Sequence, residues 1–139
     1  MSVDQEHYQW YKKSEDDLLV ARHVFNNMHP RQLEIACYHS QQAAEKALKG
    51  FLVLNGMIPP LIHDLVELCE KCAELSDDFS KLLTDCAILR VYATATRYPS
   101  GITTSEDQTL AAIEKAERIY NLVLSLTPKD AKQSKESQC

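Results

Sequence analysis

The densest run of side chains able to do chemistry is Gln41-Gln42-Ala43-Ala44-Glu45-Lys46-Ala47-Leu48-Lys49-Gly50. At helical spacing Gln42, Glu45, Lys46 and Lys49 fall along one side, while Ala36, Ser40, Ala43, Ala44 and Ala47 form a small-residue side that lets a neighbouring helix approach closely. The polar line has two readings. One is a solvated face carrying an i,i+4 Glu45–Lys49 pair worth ~0.3 kcal/mol. The other is a basic edge for a phosphate group, which requires a second basic element opposite it. Arg90, Thr94 and Arg97 offer that element, since helical spacing places them on one side and Arg97 adjoins the Tyr98-Pro99 break. A guanidinium fork beside an aromatic ring suits a nucleotide, with phosphate on Arg97 and base or ribose against Tyr98. An arginine in a last helical turn also complements the helix dipole, so a purely structural role for Arg97 competes with this one. The candidate nucleotide contacts are therefore Arg97, Tyr98, Lys46, Lys49 and Arg90, joined by His63, for which capping or packing is the alternative.

Other constellations are thinner. Cys69-Glu70-Lys71-Cys72 sets two thiols at i and i+3, but zinc normally takes four ligands and no second pair has matching spacing. The five cysteines (Cys37, Cys69, Cys72, Cys86, Cys139) are an odd number and read as thiols of a reducing compartment. His39 borders either the same site or a dimer seam, and Trp10 reads as a core anchor. The sequence has no glycine-rich phosphate loop, nucleophile elbow or paired carboxylates, so no catalytic or metal-ligating residue is assigned.

These groups must be positioned by helices. In 139 residues there are only 3 glycines and 5 prolines, too few for the turns of a sandwich or barrel, and 45% apolar content is enough for a core. Apolar residues recur at threes and fours from Asp4 to about Met28, giving a first amphipathic helix. Pro30 suits the first position of a second helix that runs to Leu54 and ends at Asn55-Gly56. A third helix spans about His63 to Leu75. Ser76-Asp77-Asp78 resembles the cap of a fourth, which continues to about Arg97 and stops at the Tyr98-Pro99-Ser100-Gly101 loop. Thr103 with Glu106, or Thr104 with Asp107, has capping-box spacing for a fifth that reaches Leu126. The expected fold is all-α, an up-and-down antiparallel bundle of four main helices plus a short fifth, over residues 1–127. Residues 128–139 read as a disordered polar tail. A net charge of −5 argues against a broad nucleic-acid surface, and the chain shows neither a signal-peptide pattern nor a membrane-length apolar run, so a cytoplasmic protein is expected.

Three segments in order, Gln41 to Lys49, His63-Asp64-Leu65 and Thr96-Arg97-Tyr98-Pro99, resemble the HEPN domain family, the higher eukaryotes and prokaryotes nucleotide-binding domain. The resemblance covers about Tyr8 to Leu126. It implies a helical up-and-down bundle, frequent homodimers, a minimal nucleotidyltransferase as partner, and either nucleotide binding or metal-independent ribonuclease action. The ribonuclease branch needs an Arg, four to six intervening residues and a His late in the bundle, and no histidine follows His63. Arg22 and His29 match that spacing in the first helix, the wrong place, and read as a chance match. The expectation is a small accessory or toxin–antitoxin-type protein that binds ATP or another purine nucleotide, a nucleotidyltransferase partner, or both, with no RNA or membrane partner. An endoribonuclease toxin and a dimerisation module without ligand are the alternatives.

Overall fold

The structure is a computed structural model that describes residues 5–94 and 104–129. Its regular structure among those residues is all helical: α1 (Glu6–Asn27), α2 (Leu33–Leu54), α3 (Leu65–Leu75), α4 (Leu83–Leu89) and α5 (Glu106–Ser125). Two 3-10 helices flank α4, at Asp77–Leu82 and Arg90–Ala93. No described helix is long and apolar enough to cross a membrane.

Side-chain pairs fix the directions. Along α1 and α2, Tyr11 meets Gly50, Ser14 donates to the Ala43 carbonyl at 2.7 Å, and Asp17 meets His39 and Lys46. Advancing on one helix means retreating on the other, so the two are antiparallel. The α1–α5 pairs Tyr11–Thr127, Glu15–Tyr120 and Arg22–Glu117 run the same way. The small-residue side of α2 makes this possible: Ala36, Ser40, Ala43, Ala44 and Ala47 are all fully buried within the chain. At Gly50 the approach is closest, since a Cβ there would lie 2.6 Å from the Tyr11 ring. Leu48, Leu52, Leu65, Leu68, Phe79, Leu89 and Ile119 fill the centre, and the Phe51 and Phe79 rings sit 4.8 Å apart.

The all-α bundle agrees with expectation; several boundaries do not. Pro30 lies in the connection, and α2 begins at Leu33 after Gln32. His63 stands outside α3, because Asp64 takes the cap and its carboxylate accepts from Val66 N and Glu67 N. Ser76 makes no side-chain cap bond, and the expected fourth helix is three short pieces. The α5 cap is Ser105 rather than either threonine, in a complete capping box with Gln108. Asn55-Gly56 does end α2, with Gly56 at φ 87°. Trp10 is half-buried rather than a core anchor. The expected loop at 98–101 and the tail from residue 130 lie outside the described residues.

Candidate functional site

The polar line of α2 is neither solvated nor a free basic edge. Glu45 and Lys49 do pair, at 3.1 Å, but their side chains are only 9% and 6% exposed. Glu45 Oε2 also takes His63 Nδ1 at 2.9 Å, and Glu45 Oε1 accepts from Gln41 Nε2 at 3.2 Å. Lys49 Nζ stands 5.9 Å from the Trp10 ring centroid and 3.4 Å from His63 Nδ1. Lys46 belongs to a different network one turn away. Its ammonium donates to Asp17 Oδ2 at 2.7 Å, and the other oxygen of that carboxylate faces His39 Nδ1 at 2.8 Å. His39 is therefore spent on α1. Each lysine thus faces a nearly buried carboxylate, which cancels much of the charge it would show a phosphate.

The candidate residues divide accordingly. Lys49 and His63 come together at the Glu45 carboxylate, whereas Lys46 is drawn to α1. Arg90 sits beside this group, its Nη1 3.6 Å from Asp64 Oδ2, so the residue that follows His63 in sequence and caps α3 also pairs with the arginine. Arg90 and Thr94 do not share one helical face, because the turn at Arg90–Ala93 is 3-10, where residues four apart fall about 120° from each other. Arg97 and Tyr98 lie outside the described residues.

What the segments build is a cleft of about 320 Å³ lined by Tyr38, Gln42, Glu45, His63, Ala93 and Thr94. Ligand sites commonly hold roughly 300–1,000 Å³, so this one suits a single moiety such as a base or a phosphate cluster. His63 is 73% exposed, and with Nδ1 against Glu45 its Nε2 is the ring nitrogen left for the cleft. Tyr38 and Ala93 are lining residues that sequence reasoning missed, and Gln42 was placed on the polar line of α2 but not among the ligand contacts. The signal for Tyr38 was its position at i−7 from Glu45. A second, shallower groove of about 240 Å³ lies on α1 between Trp10 and Pro59.

Among the described residues, two further arginines and four cysteines have structural partners or are buried. Arg22 grips Glu117 in bidentate fashion at 2.7 and 3.1 Å, a contact that holds its guanidinium cationic. Arg118 does the same to Asp85. Cys37, Cys69, Cys72 and Cys86 are buried thiols. Burial raises the pKa of Cys72, and a hydrogen bond between Cys69 and Cys86 lowers Cys69 and raises Cys86. Among the described residues no three His, Cys, Asp or Glu side chains cluster as metal ligands.

Comparison with known proteins places the fold. The archaeal HEPN homologue ST0689 has a crystal structure similar to this one, with a TM-score of 0.70 at 28% identity over 92% of this chain and 100% of that one. TT1696 from Thermus thermophilus shares the fold with a TM-score of 0.71 at 24% identity, over 87% and 98% of the two chains. A stretch of 47 residues is 45% identical to the protein named "Putative toxin MJ1304" of Methanocaldococcus jannaschii, which is 34% of this chain and 29% of that protein. The match thus spans under a third of that relative. The HEPN domain model matches residues 7–126, from the first turn of α1 to just past the end of α5, and the chain belongs to the HEPN domain family.

Proposed function

We propose that this HEPN protein binds a nucleotide, ATP or another purine nucleotide, in the cleft between α2, the α2–α3 connection and the 3-10 turn after α4. The observation that carries the reading is the anchored His63 imidazole facing a cleft whose lip, Thr94, precedes Arg97 and Tyr98 by three and four residues. Arg97 supplies the phosphate fork and Tyr98 the ring, while Lys49 and His63 add a second, partly neutralised basic side. Lys46, turned toward Asp17, contributes at longer range, and Arg90 reaches phosphate by leaving a loose 3.6 Å pair. A nucleotidyltransferase partner and a toxin–antitoxin-type setting accord with the family and with the name of the Methanocaldococcus relative.

Calorimetric titration of ATP into the wild type and Arg97→Ala tests the reading. A charge-assisted contact of ~1.5–3 kcal/mol predicts a roughly ten- to 150-fold loss of affinity in the variant. Equal affinities, with both proteins folded by circular dichroism, would remove Arg97 from the site. The name of the toxin-like relative favours a second reading, metal-independent RNA cleavage. Against it stand the missing late histidine and the commitment of Arg22 to Glu117. No cleavage is expected in a metal-free assay on single-stranded and structured RNA; cleavage abolished by Arg22→Ala or His29→Ala would reinstate it.

A further inference from the structure

We infer that Gln42 selects the base: the cleft takes a purine with an amino group at position 6, adenine before the 6-oxo purines hypoxanthine and guanine. The inference rests on the reading of the cleft as a nucleotide site and adds what that site discriminates. It follows from a relay of fixed amides. Glu45 is ion-paired with Lys49, so its carboxylate accepts hydrogen bonds and cannot donate one. Gln41, fully buried, must therefore turn its NH2 toward Glu45 Oε1, as it does at 3.2 Å. That orientation leaves Gln41 Oε1 as an acceptor facing the next side chain. Gln42 satisfies it by donating from Nε2 at 2.7 Å. Were Gln42 flipped, two carbonyl oxygens would face each other and Gln41 Oε1 would lose its partner, an arrangement costly in a buried place. The charge on Glu45 thus sets the sense of two successive amides, and Gln42 Oε1 is left as the acceptor available at the cleft wall it helps to line.

An acceptor fixed in this way discriminates by the sign of its dipole. The 6-amino group of adenine can donate to it, whereas the 6-oxo group of hypoxanthine or guanine presents a second acceptor and is repelled. Tyr38, on the same wall and one helical turn before Gln42, supplies an aromatic edge or face for the ring.

The test compares ATP with inosine triphosphate, which replaces the 6-amino by a 6-oxo group and leaves sugar and phosphates unchanged. Calorimetric titration of the full chain is expected to show ATP bound about ten-fold more tightly. In Gln42→Leu, which keeps the volume and removes the acceptor, the two affinities should converge to within about two-fold. Equal affinities in the wild type, or an undiminished gap in Gln42→Leu, would overturn the inference while leaving nucleotide binding intact. Binding of neither compound would overturn the nucleotide reading and this inference with it. The wild-type comparison needs no variant, so it decides the matter even if Gln42→Leu fails to fold.

Discussion

Replacing Lys49 with methionine would keep the length of the side-chain stem while leaving the Glu45 carboxylate buried without its cation. Breaking a buried pair from one side typically costs about 3–5 kcal/mol; because His63 and Gln41 still contact Glu45, the lower end, about 3 kcal/mol, is expected in urea unfolding. A loss below about 1 kcal/mol would show that the pair is solvated after all. Lys46→Met should also destabilise the fold, by leaving the nearly buried Asp17 carboxylate with His39 as its remaining partner. The double variant should lose the sum of the two within about 0.5 kcal/mol, because the networks share no partner. The i,i+4 pairing of Glu45 with Lys49 was legible in the sequence, since helical spacing alone brings those positions together. Its burial was not. Spacing ranks residues by face but does not say which neighbour covers that face, and here α1 draws Lys46 while the α2–α3 connection covers Glu45 with His63. The place of Tyr38 and Gln42 in the cleft was hidden for the same reason, as it depends on where the turn at Ala93 and Thr94 arrives.

The α1–α2 pair is the element on which the bundle depends, and Gly50 is its point of closest approach. A Cβ at residue 50 would lie 2.6 Å from Tyr11 Cε1 and 2.8 Å from Trp10 Cβ, so Gly50→Ala must push the helices apart. The higher helix propensity of alanine, ~1 kcal/mol, is offset by overpacking of roughly 1–3 kcal/mol. A net loss of stability is expected in thermal unfolding, whereas a gain would show that the two helices are less closely held. At the start of α5, Ser105→Ala should cost about 1 kcal/mol through the lost capping box, read in thermal unfolding. Helix cores were readable from their apolar period. Their ends were less so, because several Ser, Thr and Asp residues compete for each cap and tertiary packing chooses among them. Near residue 105 the spacing favoured two threonine caps, whereas the chain uses Ser105, whose carbonyl also accepts from the Thr109 hydroxyl at 2.8 Å.

For the whole molecule, buried phenols and thiols give stability an alkaline limit. Burial raises the pKa of Tyr11 and Tyr92 and pushes Tyr120, beside Glu15, up to about 12. It likewise raises Cys37 and Cys72 above the ordinary 9.0. Above these unperturbed values the unfolded chain releases protons that the folded chain keeps, so stability falls as pH rises, beginning near 9 with the thiols and steepening from 10 to about 12 with the tyrosines. Urea midpoints measured from pH 8 to 11 should decline accordingly, and Tyr120→Phe should flatten the upper part; a midpoint independent of pH would contradict the burial of these groups. Assembly is a separate matter. The small-residue side of α2 is buried within the chain, so the homodimer that the family resemblance implies must use another surface, such as one bearing the exposed Ile58 and Leu61. Light scattering is expected to give twice 15.8 kDa, and a mass near 16 kDa at all micromolar concentrations would reject the dimer. The all-α class was legible from composition and period because few glycines and prolines leave little else to build. The cleft was not, since it arises where three separate segments converge. The claim that this convergence holds a nucleotide is tested most directly by following backbone amide resonances of the full chain during ATP titration. Saturable shifts confined to Tyr38, Gln42, His63, Thr94 and the segment through Arg97 and Tyr98 are the predicted result, whereas no shifts, or shifts centred on the Trp10–Pro59 groove, would contradict it.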